Sequence, residues 1–109
     1  MKRYVELTEN AQATHLKIET YYDLGGPDFA YGGTRPRGYY VRVTPVTREN
    51  RYGVSIESFV AFTGYRQLVK EVTRKSAKAE AAAEAAAADI IDIMVERVCM
   101  KNGLEVKTV

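Results

Sequence analysis

The stretch from about residue 75 to residue 101 decides most of the architecture. Nine alanines among residues 77–88 raise helix propensity, and Ala83, Ala87, Ile90, Ile91, Met94, Val95 and Val98 trace one apolar stripe. Asn102-Gly103 supplies the stop. At about 1.5 Å per residue this helix is on the order of 40 Å long, well beyond the span of a strand of about eight residues. Part of it must overhang the sheet, bend, or meet a partner. The small side chains of its first half suit close packing within the chain or contact with a second copy.

The chain before the helix alternates instead. Residues 15–22 place Leu16, Ile18, Thr20 and Tyr22 on one side and His15, Lys17, Glu19 and Tyr21 on the other, the period-2 pattern of a half-buried strand. Residues 3–8 predict another short strand, with residues 9–14 as its turn. Over residues 39–46, Tyr39, Val41 and Val43 oppose Tyr40, Arg42 and Thr44, and Pro45 points to an edge position or the strand's end. After a polar turn at 47–52, Val54, Ile56, Ser58, Val60 and Phe62 alternate with Ser55, Glu57, Phe59 and Ala61, which predicts a hairpin. Thr63-Gly64 breaks that pattern. Leu68, Val69 and Val72 fit a helix face, but the preceding turn and the β-branched residues predict a returning strand over 65–73. Five glycines and two prolines between residues 25 and 38 predict a long flexible loop without regular structure.

These elements predict an α+β fold, an antiparallel sheet of three to five strands packed against one long carboxy-terminal helix, in a single domain over residues 1–109. With 109 residues, 46% of them hydrophobic and 28% charged, the chain sits where one core forms and is too apolar for disorder. No apolar run approaches the roughly 18 to 20 residues of a membrane span, so no membrane contact is expected. The single cysteine, Cys99, has no internal partner, and the opening Met1-Lys2-Arg3-Tyr4 lacks the apolar stretch of a secretion signal. The cytoplasm is the expected compartment.

Most catalytic chemistries lack their parts. One histidine and one cysteine more than eighty positions apart make no metal site, and no cofactor is expected. His15, the one candidate base, falls on the polar side of a strand, where a solvated histidine is the simpler reading. Gly25-Gly26 and Gly32-Gly33 match neither the Walker spacing nor the dinucleotide-binding fingerprint. Asp89 and Asp92 share a helix face as a solvated surface does. The expectation is a protein that is not an enzyme.

The distribution of charge says more than its total of +2. Residues 34–78 carry ten basic side chains against three acidic ones, whereas both flanks are net acidic. A basic middle of this kind points to an anionic partner for one region. Arg74, Lys75 and Lys78 gather at the helix amino terminus, where each cation costs roughly 0.3 to 1 kcal/mol against the backbone dipole. A bound phosphate reverses that cost; neutralisation by Glu71 and solvent ions is the structural alternative. If the helix covers the face carrying Leu16, Ile18, Tyr39, Val41, Val43, Val54, Ile56, Val60 and Phe62, the other face displays Tyr21, Tyr40 and Phe59 beside Lys17 and Arg42. Such a face stacks bases or anchors a protein, unless the loop, the amino-terminal segment or another subunit covers it.

The segment Thr73-Arg74-Lys75-Ser76-Ala77-Lys78-Ala79-Glu80-Ala81-Ala82 resembles the start of the last helix of double-stranded-RNA-binding domains, which follows three antiparallel strands. The resemblance implies phosphate contacts by Arg74, Lys75 and Lys78. The opening Tyr-Val-Glu-Leu-Thr-Glu-Asn run and the Arg-Lys-Ser-Ala-Lys segment are also similar to short uncharacterised proteins of bacterial phages and conjugative elements. That resemblance implies an accessory protein occupying a nucleic acid or a host nucleoprotein, a class that includes anti-CRISPR inhibitors.

The resulting expectation is a small non-enzymatic binding protein of mobile-element type. Its basic middle engages nucleic acid or a nucleoprotein through Arg35, Arg37, Arg42, Arg74, Lys75 and Lys78. The alternative is a protein-protein interaction or homodimer module, in which Tyr21, Tyr40, Phe59 and the alanine-rich helix make the contact.

Overall fold

A computed structural model describes residues 1–9, 12–29, 32–60 and 62–108. Its main sheet has five antiparallel strands: β1 (Lys2–Glu6), β2 (His15–Asp23), β5 (Gly38–Arg51), β6 (Val54–Phe59) and β7 (Tyr65–Glu71). A two-residue hairpin, β3 (Gly26–Pro27) with β4 (Thr34–Arg35), interrupts the loop between β2 and β5. Two helices, α1 (Ala77–Ala88) and α2 (Ile91–Asn102), follow.

The order runs β1-β2-β5, and β6 and β7 share the far edge of β5 end to end. β7 pairs with β5 as far as Val43, and β6 pairs from Val46 onward. Pro45 is therefore inside a strand and fully buried, not at an edge or an end as its residue type predicts. It falls in the interval between β6 and β7, where among the described residues that side of β5 has no strand partner, so the missing N–H breaks no described ladder bond there.

β5 also runs through residues 47–51, which the sequence reading assigned to a turn. The reversal is confined to Tyr52 and Gly53, both at positive φ (54° and 78°), the geometry that matches the twist of a two-residue hairpin. Cross-strand pairs from Val46↔Phe59 to Arg51↔Val54 keep these polar residues extended. Ala61, placed by alternation in the same strand as Phe59, lies outside the described residues, as do Asn10 and Ala11 of the 9–14 turn.

Alternation puts Leu16, Ile18, Val41 and Val43 on one face, where they meet Ala87, Ile91, Met94 and Val98 in the main core. Burying a side chain of this size is worth about 1.5 to 3 kcal/mol. A second cluster joins Tyr39 to Ala79 and Ala83, whose single methyl groups let α1 sit close to the sheet. Val54 and Ile56 share that face by register but are exposed, because the β5–β6 hairpin projects past both helices.

One long helix is replaced by two of 12 residues, each about 18 Å long at 1.5 Å per residue. The buried positions Ala79, Ala83, Ala87 and Ile91 step by four residues. Each such step advances about 40° beyond a full turn, so on a straight helix the stripe would wind off the sheet by about 120° over three steps. The helix is interrupted at Asp89–Ile90. Ile90 N–H closes a tight turn on Ala87 O at 3.0 Å, and Met94 N–H resumes on Ile90 O. Gly103, at φ 65°, ends α2 in the left-handed conformation that Asn102-Gly103 predicts.

The tail then returns to the start of the chain. Thr8 N–H donates to Glu105 O and Lys107 N–H to Glu6 O, around a Leu7–Val106 bridge. No helix of the described residues is long and apolar enough to cross a membrane.

Candidate functional site

The end of the sheet where β2, β5 and β7 meet the start of α1 collects cations from separate parts of the chain. Gly38 pairs with Glu71 and Tyr39 with Lys70, which sets Arg37 beside residues 72–73. Arg37 is fastened there by its Nε to Leu24 O (3.0 Å) and by Nη1 to Thr73 O (3.5 Å). A Cβ on Gly38 would lie 2.3 Å from Lys70 O, so this approach of β5 to β7 requires glycine. Ser76 caps α1, its Oγ accepting from Ala79 N–H at 3.0 Å. Lys75 lies 5.7 Å over the Tyr22 ring, which packs edge-on against Tyr39.

Arg37, Lys70, Arg74, Lys75 and Lys78 are all exposed at this end. Among the described residues none of the five has a carboxylate within ion-pair distance, Glu71 included. Neutralisation of the cluster by Glu71 is thus not what the structure shows.

The open face of the sheet is organised differently. Lys17 donates to Glu57 at 2.9 Å, and Glu57 also accepts from the Tyr4 hydroxyl. These two hydrogen bonds, Tyr4 first, hold the Glu57 carboxyl below its ordinary pKa and push both Tyr4 and Lys17 up. Arg48 stacks 3.7 Å from the centre of the Tyr4 ring. Arg42 donates to Glu19 and lies 4.8 Å over Tyr21. Val46, fully buried, shares this face by register and lies beneath the layer. His15 is half-buried, with Nδ1 2.7 Å from Thr14 Oγ1 and its ring edge-on to Tyr4.

The glycine-rich segment folds over one end of the open face instead of standing away from it. Arg35 Nε lies 2.9 Å from Asp23, and Arg66 Nη2 lies 2.6 Å from Asp28. Burial pushes the Asp23 carboxyl up, but Gly25 N–H and Arg35 outweigh it and leave the carboxyl below its ordinary pKa. Tyr40 donates to Pro36 O at 2.6 Å and is almost wholly covered. It stacks on Tyr21, ring centres 5.9 Å apart. Phe59 stays out of this cover, 70% exposed, with Lys17 Nζ 5.7 Å from its ring. Two grooves, of about 310 and 550 Å³, flank Gly64, Tyr65 and Arg66 at the break between β6 and β7.

The nine candidate residues therefore separate into three groups and one lone residue. Arg37, Arg74, Lys75 and Lys78 come together as an unpaired basic end. The charges of Arg35 and Arg42 are taken up by Asp23 and Glu19. Buried Tyr40 stacks on half-buried Tyr21, and Phe59 stands alone as an exposed ring. Sequence reasoning did not single out Lys70 and Arg66. Their signal is the register that sets Lys70 against Tyr39 and Arg66 against Arg42, which residue type alone does not carry.

Among the described residues no group of three or more histidine, cysteine, aspartate or glutamate side chains is placed to hold a metal ion. Cys99 is buried, and burial pushes its thiol pKa up, away from the reactive thiolate. No protein-family model, curated protein or solved structure matches this chain.

Proposed function

We propose that this chain is a small non-enzymatic binding protein, an accessory of phage or mobile-element type, that engages a nucleic-acid backbone with its basic end. The observation that carries the proposal is the contrast in pairing among the described residues: Arg37, Lys70, Arg74, Lys75 and Lys78 gather at one end without carboxylates, while Arg35, Arg42 and Lys17 each have one. Cations gathered at one end without carboxylates repel each other, a cost to folding. Phosphates reverse that sign by counterion release.

A mobility-shift series at low salt with single- and double-stranded RNA and DNA tests this. Binding that Lys75→Glu with Lys78→Glu weakens on every sequence supports the basic end. Absence of a shift with all four probes would sink it.

The β5–β6 hairpin favours a second reading, contact with another protein. It presents Tyr52, Val54 and Ile56 to solvent beside the outer edge of β6, which pairs with no strand among the described residues. An edge of this kind is a template for strand addition. Light scattering of the purified chain reads self-association directly, and a strictly monomeric mass at high concentration removes the homodimer form of this reading.

A further inference from the structure

Tyr52-Gly53 closes β5 and β6 with a two-residue loop, so Arg51 and Val54 exchange both ladder bonds and the bonds alternate from there. Val54, Ile56 and Ser58 turn their N–H and C=O groups to β5. Ser55, Glu57 and Phe59 turn theirs outward, where no strand of the described residues lies. Natural edges of this kind are guarded by lysine, proline, a bulge or a covering element. β6 contains neither lysine nor proline, and its pairing with β5 runs without a register shift. Its one charge, Glu57, is drawn onto the open face by Lys17 and Tyr4. Val54, Ile56 and Phe59 line the edge with exposed apolar side chains.

We propose that this edge pairs with the same edge of a second copy of the chain, antiparallel about a two-fold axis at Ile56. The inference rests on the protein-contact reading of the hairpin and names its occupant. A two-fold axis through an antiparallel ladder sets one residue opposite itself. Centred on Ile56, the ladder joins two apolar side chains, sets Val54 against Ser58 and Ser55 against Glu57, and uses β6 from Val54 to Ser58. Centred on Glu57, it would oppose two carboxylates, which destabilises a sheet. Centred on Ser55, it would pair only Val54 to Ile56.

The rest of the fold admits the second copy. The hairpin projects past both helices, so neither helix stands between the two edges. β7 lies end to end with β6 along β5, and in the antiparallel arrangement each β7 passes beyond the tip of the other hairpin. The cations of the basic end gather near Gly38, at the opposite end of β5 from the hairpin, so like charges stay apart.

Single cysteines at positions 55 to 58, oxidised with glutathione disulfide, read the register, and buried Cys99 gives the background. Residues opposed at a non-hydrogen-bonded site have Cα atoms about 4.5 Å apart, within disulfide reach. Ser55, Glu57 and Ser58 lie more than about 7 Å from their own copies in this register, outside that reach. The expected result is a disulfide-linked dimer from Ile56→Cys alone. Light scattering is expected to give twice the chain mass for the unmodified protein and the single mass for Ile56→Lys, with an unchanged circular dichroism spectrum. A disulfide dimer from Ser55→Cys or Glu57→Cys in place of Ile56→Cys overturns the axis. A strictly monomeric mass at high concentration overturns pairing between copies. In that case a foreign protein held by the unmodified chain but not by Ile56→Lys leaves the protein-contact reading standing with another occupant, and no such protein removes both.

Discussion

The open face of the sheet and the basic end of α1 draw on the same residue types and use them in opposite ways. On the open face Lys17, Arg35 and Arg42 each lie against a carboxylate, and Arg48 against a ring. At the α1 end, among the described residues, Arg74, Lys75 and Lys78 have no carboxylate, and only Lys75 has a ring. Paired charge holds strands in register and anchors the glycine-rich segment. Unpaired charge at a helix amino terminus costs folding energy, and a partner is what recovers it.

Charge reversal separates the two most sharply. Lys75→Glu with Lys78→Glu is expected to lower nucleic-acid affinity at least tenfold, about 1.4 kcal/mol, while leaving the melting temperature unchanged or higher, since acidic groups suit a helix start. A fall in melting temperature would break the distinction. The opposite signature belongs to Lys17→Met, expected to cost about 1 kcal/mol by leaving the half-buried Glu57 carboxylate with the Tyr4 hydroxyl alone and to leave nucleic-acid affinity unaltered. Urea unfolding alongside a binding titration checks both halves.

Acid acts on the open face in the same sense. Glu57 and Asp23 have folded pKa values depressed below their unfolded ones. Their contribution is present above the unfolded carboxylate range and is lost as pH falls from about 4.5 through the folded values. Lys17 and Tyr4 are raised, so their contribution is full below their unfolded pKa values and is lost as pH rises past about 10 to 10.5. Stability should therefore plateau between these limits, with Lys17→Met and Glu57→Gln flattening the acid limb. An unchanged acid limb in Glu57→Gln would contradict the assignment.

Smaller effects refine the picture. Ser76→Ala removes the cap beneath the basic end and is expected to cost about 1 kcal/mol, read as a lower urea midpoint. Arg51→Ala breaks an exposed pair with Glu49 and is expected to change stability by less than about 0.5 kcal/mol.

What residue types reveal is local, and much of this protein is not. Alternation at Leu16, Ile18, Val41 and Val43 showed the buried face because each strand carries its own period. The same alternation misplaced Val54 and Ile56, since it tells which face a residue joins and not whether a helix reaches that far. The helix break was hidden because neither glycine nor proline marks Asp89–Ile90. In the site, Arg74, Lys75 and Lys78 were legible as one run. The pairing of Arg35 by Asp23 and Arg42 by Glu19, and the meeting of Arg42 with Arg66, depend on register between strands far apart in the chain.

The salt dependence of nucleic-acid affinity tests the central claim most directly. Contacts by most of the five cations of the basic end should give a log-log slope between about −3 and −4.5, reduced by about 2 in Lys75→Glu with Lys78→Glu. A slope shallower than about −1, or one that the charge reversal leaves untouched, would contradict the assignment of the basic end.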